Sequence, residues 1–168
     1  MPDPLVAQLR HACRLPLALV GVGNPLRGDD GFGPAVLAAL PACPGLTCFD
    51  AGMAPENWLG PIARATPATI LVLDAADLRQ PPGTLRLLRP DASDADTIGI
   101  STHGLPLGVF LRLAQDRCAA PALLLAAQPA RLSLGEEMSN PMTAAVRRAA
   151  QAIAQAFAPA PSDSPPAA

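Results

Sequence analysis

The chain has no tyrosine, a single tryptophan and four phenylalanines, so aromatic residues make up only 3% of its 168 positions. That scarcity excludes base stacking and aromatic cages as means of recognition. Charge is also sparse, at 15%, and the net charge of -2 leaves no electrostatic footprint for nucleic acid. The four cysteines, Cys13, Cys43, Cys48 and Cys118, contain no Cys-x-x-Cys pair and have no histidine at zinc-finger spacing. They read as small buried residues of a protein in a reducing, cytoplasmic compartment. No Ser or Cys lies in a nucleophile-elbow sequence, which argues against covalent proteolysis. No Gly-Lys-Ser/Thr run is present for a P-loop. The apolar run near residue 16 is too short to span a membrane and has no convincing cleavage site after it. The abundant Ala, Pro and Arg residues match a high-GC coding bias and carry no functional information.

Half of the residues are hydrophobic, and a chain of this length can form one domain with a real core. Apolar runs at Leu15–Val22, Thr69–Leu73 and Pro121–Ala126 read as buried strands, and Leu46–Asp50 reads as a further strand. Thr84–Leu88 alternates in part and suits an edge strand. Helix signals fall at residues 3–12 (Asp3 as cap, Pro4 at N1), Pro34–Leu40, Glu56–Arg64 (weakened by Pro61), Leu105–Ala114 and Asn140–Phe157. This alternation predicts a single three-layer α/β domain. Its sheet would be twisted and mostly parallel, of about five strands, with helices on both faces. The expected organisation is an N-terminal extension over residues 1–14, an α/β domain over 15–157 and a disordered Pro/Ala/Ser-rich tail over 158–168, with a polar, acidic loop at 90–99.

The most informative segment is Gly21-Val-Gly-Asn-Pro-Leu-Arg-Gly-Asp-Asp-Gly-Phe-Gly33, a glycine-rich turn between the first strand and the next helix. Dinucleotide binding needs a third glycine where this chain has Leu26. The adjacent Asp29 and Asp30 would also repel a phosphate that the bare N–H groups of such a turn otherwise hold. Capping of the following helix accounts for one of these carboxylates, and Asp29 is the one assigned to loop and cap bonding. It does not readily account for two in tandem, which suit a cation.

Open α/β sheets bind ligands at the carboxyl ends of their strands. There the chain delivers Asp30 after the first strand, Asp50 after the second, Asp74 and Asp77 after the third, and His103 ahead of a helix. Asp30, Asp74 and His103 form a two-carboxylate, one-imidazole set suited to a borderline divalent metal such as nickel or zinc. A helix start disfavours the imidazolium and so favours the neutral ring that binds metal. Asp50 and Asp77 are the competing carboxylates, and Asp50 also suits a role in bracing the Gly52 turn. A lone histidine beside a helix start is commonly structural, so spacing alone leaves the set as one alternative.

The glycine-rich turn resembles the N-terminal signature of the [NiFe]-hydrogenase maturation endopeptidases. The similarity continues, in order, through Asp50-Ala-Gly-Met-Ala-Pro-Glu-Asn57, Leu73-Asp-Ala-Ala-Asp77, Ser101-Thr-His-Gly-Leu-Pro106, Gln128-Pro129 and Gly135-Glu-Glu-Met-Ser139. It covers roughly residues 16–157, and the Ala-Pro-Glu-Asn and Thr-His-Gly-Leu-Pro runs look most like the formate-hydrogenlyase-type subgroup. The chain departs from the pattern in having Ala126 two residues before the Gln-Pro, where the family often has glycine. The resemblance implies a cytoplasmic endopeptidase of the aspartic or nickel-dependent type. It would remove a C-terminal extension from the hydrogenase large-subunit precursor after nickel insertion. The family's nickel-contacting positions fall on Asp30, Asp74 and His103, which would serve as both metal-contacting and catalytic residues. The nickel would come with the substrate, with no tightly bound intrinsic cofactor. The alternatives are a metal-dependent hydrolase of a small molecule and a non-catalytic nickel- or nucleotide-binding module.

Overall fold

The computed structural model describes residues 1, 3–89 and 105–159. Five strands form one sheet: β1 (Leu17–Val22), β2 (Leu46–Gly52), β3 (Thr69–Ala75), β4 (Leu85–Leu88) and β5 (Ala122–Ala127), in the order β2-β1-β3-β5-β4. All pairings are parallel except β4 with β5, so the expected edge strand is the one antiparallel member. β1 and β5 are buried at every position, as strands covered on both faces should be.

Among the described residues five helices cover the sheet: α1 (Pro4–Ala12), α2 (Phe32–Ala39), α3 (Leu59–Arg64), α4 (Leu107–Cys118) and α5 (Asn140–Phe157). The period of two in the strands divides the core. Leu17, Leu19, Leu71, Leu73, Leu123 and Leu125 face α1, α2 and α5. Ala18, Val20, Ile70, Val72 and Leu124 face α3 and α4. The doubt over Pro61 is resolved by a break, since a 3-10 turn, Pro55–Trp58, comes first and α3 then starts afresh at Leu59. Pro61 thus sits in the first turn of a helix, where its missing N–H has no intrahelical partner to lose.

Residues at the N-terminus pack into the same core. Leu5, Val6, Leu9 and Cys13 are buried in the core shared with α5, and α1 also meets β4. Arg10 donates to the carbonyls of Gln155 and Ala156, and the Arg14 amide donates to the hydroxyl of Thr69. Asp3 caps α1 through the amide of Leu5 and forms a two-pronged ion pair with Arg148 on α5, at 2.7 and 2.9 Å. Only Cys13 meets the expectation of buried cysteines, and burial pushes its thiol up to about 11. Cys48 is exposed on the edge strand β2, while Cys43 and Cys118 are half-buried, and all four thiols are free.

The hydrogen bond from Arg148, aided by that from the Leu5 amide, lowers the Asp3 carboxyl to about 2 from an ordinary 3.8. A carboxyl whose folded pKa lies below its unfolded value contributes stability that is complete above 3.8 and lost as pH falls toward 2. Asparagine keeps the cap and removes the charge. Asp3→Asn should therefore cost no more than about 1 kcal/mol at neutral pH, the scale of a surface pair. The difference from the parent should shrink steeply as pH approaches 2 and be lost below it, in denaturant titrations taken across this range. A pH-independent difference would assign the effect to packing.

Candidate functional site

The strand order reverses direction between β1 and β3. From β1 the chain passes through α2 to β2 on one side, then through α3 to β3 on the other. The carboxyl ends of β1 and β3 therefore border the crevice where open α/β sheets bind ligands. Asp30 and Asp74 occupy the two sides of this crevice. Asp30 lies in a 3-10 turn, Gly28–Gly31, between β1 and α2, and Asp74 is the penultimate residue of β3. Both carboxylates are buried, at 2% and 1% exposure.

Two glycines bring these segments together. Gly33, in the first turn of α2, lies so close to the sheet that an added Cβ would come within 2.3 Å of the Leu73 carbonyl oxygen and 2.5 Å of that of Val22. Leu73 directly precedes Asp74, so this contact seats the turn on the strand beside that residue. Gly23 has φ of +138, and a Cβ there would overlap the Asp30 carbonyl oxygen. The amide of Asn24 donates to the Asp30 carboxylate at 2.9 Å, which fixes one of its oxygens. Asp74 has the strand parity of Ile70 and Val72, which places it on the α3–α4 face. His103 lies outside the described residues. Among the described residues no three His, Cys, Asp or Glu side chains gather as a metal site.

The two neighbouring carboxylates of the turn have separate environments. Asp29 is fully buried, and its oxygens accept four hydrogen bonds: from the amides of Ala130 (2.7 Å), Arg131 (3.3 Å) and Ser139 (2.7 Å), and from the Ser139 hydroxyl (2.8 Å). Of the loop and cap bonding expected of Asp29, the structure shows the loop bonding and not the capping of α2. The N-cap of α2 is Gly31, with no side-chain cap bond, and Asp29 instead ties the turn to the segment between β5 and α5. Backbone bonds complete that seam: Gly28 to Glu136, Asp29 to Arg131 and Gly135 to Leu26.

Sequence reasoning missed Ser139. It is buried, donates to Asp29 and accepts from the Met142 amide as the N-cap of α5. The Ser-Asn-Pro run at the start of a long amphipathic pattern is the signal that marks such a cap. Gln128 has a comparable role, because its side-chain oxygen accepts the amides of Leu78 and Gln80 and so anchors the loop that follows Asp74. Of the competing carboxylates, Asp77 is exposed and accepts the Arg79 amide. Asp50 is also exposed and makes no side-chain hydrogen bond among the described residues; the Gly52 carbonyl is instead held by the Gly23 amide.

An amide at position 29 keeps one acceptor but turns an –NH2 group toward either the Ser139 amide alone or the three donors of the other oxygen, the amides of Ala130 and Arg131 and the Ser139 hydroxyl. Asp29→Asn should therefore lower stability by about 1–3 kcal/mol, the cost of leaving buried donors unsatisfied. It should also expose the amides of Ala130, Arg131 and Ser139 to hydrogen exchange. Asp30→Asn should be the milder change for stability. Equal melting temperatures for Asp29→Asn and the parent would show that the seam does not depend on the carboxylate.

The profile of the HycI family, described as hydrogenase maturation protease, matches residues 37–156, a span that includes Asp74 and His103. The hydrogenase 3 maturation protease of Escherichia coli strain K12 is 32% identical over 138 residues, covering 80% of this chain and 86% of that protein. The fold matches the crystal structure of the [NiFe] hydrogenase maturation protease HycI from Thermococcus kodakarensis. That match has a TM-score of 0.78 and 29% identity, over 92% of this chain and 99% of that one. It also matches the hydrogenase maturating endopeptidase HybD from Escherichia coli, with a TM-score of 0.67 and 25% identity over 82% and 88% of the two chains. A doubly wound sheet with buried carboxylates at its switch point, in a chain with these relatives, belongs to the hydrogenase maturation protease family.

Proposed function

We propose that this protein is an endopeptidase that removes the C-terminal extension of a [NiFe]-hydrogenase large-subunit precursor, in the cytoplasm, once nickel has been inserted. The observation that carries this reading is the pair of buried carboxylates, Asp30 and Asp74, on either side of the β1/β3 crevice. Burial is costly for a carboxylate. A divalent ion brought in by the substrate offsets that cost and so binds where the two converge. Membership of a protease family favours a peptide substrate over the small-molecule hydrolase and over the non-catalytic module.

In this mechanism Asp30, Asp74 and His103 are the donors that the substrate's nickel meets. Three protein donors leave part of the coordination sphere to the precursor's own ligands, whereas a closed structural site would take all of it. Docking of the ion fixes the extension relative to the carboxylates and turns recognition into positioning for hydrolysis. The chemistry is of the aspartic or nickel-dependent type, with water as the attacking group. Nickel belongs to the substrate and is the checkpoint, so that only a metallated precursor is cut.

Asp30→Asn, Asp74→Asn and His103→Ala should each slow processing by at least ~100-fold, the scale of a lost positioning contact. Mass spectrometry of a co-expressed precursor reads this directly. Full processing by two of the three variants would remove the site from consideration. The role of nickel has its own test. Under a mild chelator the purified protein should cut the nickel-loaded precursor and leave the nickel-free form intact. Equal cleavage of the two would point to an intrinsic-metal hydrolase.

A further inference from the structure

Single exposed leucines are ordinary on a protein surface, but several converging on one edge are not. Among the described residues six large hydrophobic side chains are exposed, and three of them lie on loops that leave carboxyl ends of strands. Leu26, after β1, is 69% exposed, Leu134, after β5, is 74% exposed, and Met53, after β2, is 47% exposed. Leu26 is four residues before Asp30 in the same turn.

These side chains sit on a fixed frame. The Gly135 amide donates to the Leu26 carbonyl at 2.8 Å, which makes Leu134 and Leu26 neighbours across the seam. The Leu26 amide donates to the side-chain oxygen of Asn24 at 2.9 Å, and Arg27 Nε donates to the Leu132 carbonyl at 3.1 Å. Gly52, directly before Met53, accepts from the Gly23 amide at 2.9 Å. Apolar groups presented by an ordered backbone lose little conformational entropy on binding. Around them stand Arg131, Glu136 and Glu137, all exposed, which give the polar border usual for a protein interface.

We infer that Leu26, Leu134 and Met53 form the docking rim for the protein substrate, and that its occupant is an apolar segment of the precursor flanking the scissile bond. The inference rests on the function proposed above and adds to it the surface that selects the substrate. Continuity with the crevice carries it, because the turn that presents Leu26 also presents Asp30. A partner seated on the leucines would bring the adjoining chain to the carboxylates.

The test measures equilibrium binding of nickel-loaded precursor to the full chain carrying Leu26→Ser, Leu134→Ser or both, with Leu113→Ser on α4 as an exposed control. Binding should weaken about 10-fold for each single change and about 100-fold for the pair, the range of interface anchors, and stay within about 2-fold for the control. Leu26→Met with Leu134→Met should restore it, and melting temperatures should not move. Unchanged affinity in the double serine variant overturns the inference. So does a self-association of the parent that the serine variants abolish, since the occupant would then be a second copy. A parent protein that binds the precursor through these leucines but does not cut it would leave the docking rim standing and sink the proposed activity.

Discussion

The structure around the crevice depends on one buried carboxylate. Asp29 accepts donors from residues about a hundred positions away, and it satisfies amides of a segment that has no regular structure of its own. Buried N–H groups must find partners, and irregular backbone cannot supply them internally. With four charge-assisted bonds in place, residues 128–139 can lie against the glycine-rich turn. Ser139 extends the effect, since the hydroxyl that donates to Asp29 also caps α5 and so couples the start of the longest helix to the turn. The positions of Leu134 and Leu26 follow from the same seam.

The tandem of Asp29 and Asp30 takes its meaning from this geometry. Successive residues of a 3-10 turn point about 120° apart. Two adjacent carboxylates therefore have different surroundings, and one turn can both anchor itself and present a charged group. Asp29 points to the α5 side, while Asp30 meets Asn24 and the carboxyl edge. A single acidic residue could not do both.

Much of this fold is legible in the sequence because its signals are local. The all-apolar runs of β1, β3 and β5 have one stable destination, a sheet covered on both faces. Asp3-Pro4 marks a helix start through capping chemistry that needs no distant partner, and the apolar period from Asn140 marks the last helix. The arrival of Asp30 and Asp74 at one edge is likewise legible, since parallel strands put their carboxyl ends together. What could not be read depends on contacts between remote segments. Three of the four donors to Asp29 are backbone amides, of Ala130, Arg131 and Ser139, which carry no compositional mark. The exposure of Cys48 follows from β2 being the outermost strand, a fact of strand order that its apolar neighbours do not reveal. Gln128 belongs to a motif visible in the sequence, yet its hold on Leu78 and Gln80 depends on where the loop after β3 returns.

On the function proposed above, the metal is carried by the substrate, and the site must be built without it. A resident ion organises its own ligands, and its binding energy contributes to the fold. A site that meets its ion only during turnover must be arranged without that help. Here the arrangement comes from backbone packing: Gly33 against the Leu73 carbonyl, Gly23 against that of Asp30, and the Asn24 amide on the Asp30 carboxylate. Each of these contacts is independent of any metal, and each tolerates little displacement. A backbone made rigid in this way can hold two carboxylates in place without a bound ion. On the function proposed above, the turn's glycines serve for precision and the incoming ion for discrimination, and the two are separable because they reside in different molecules.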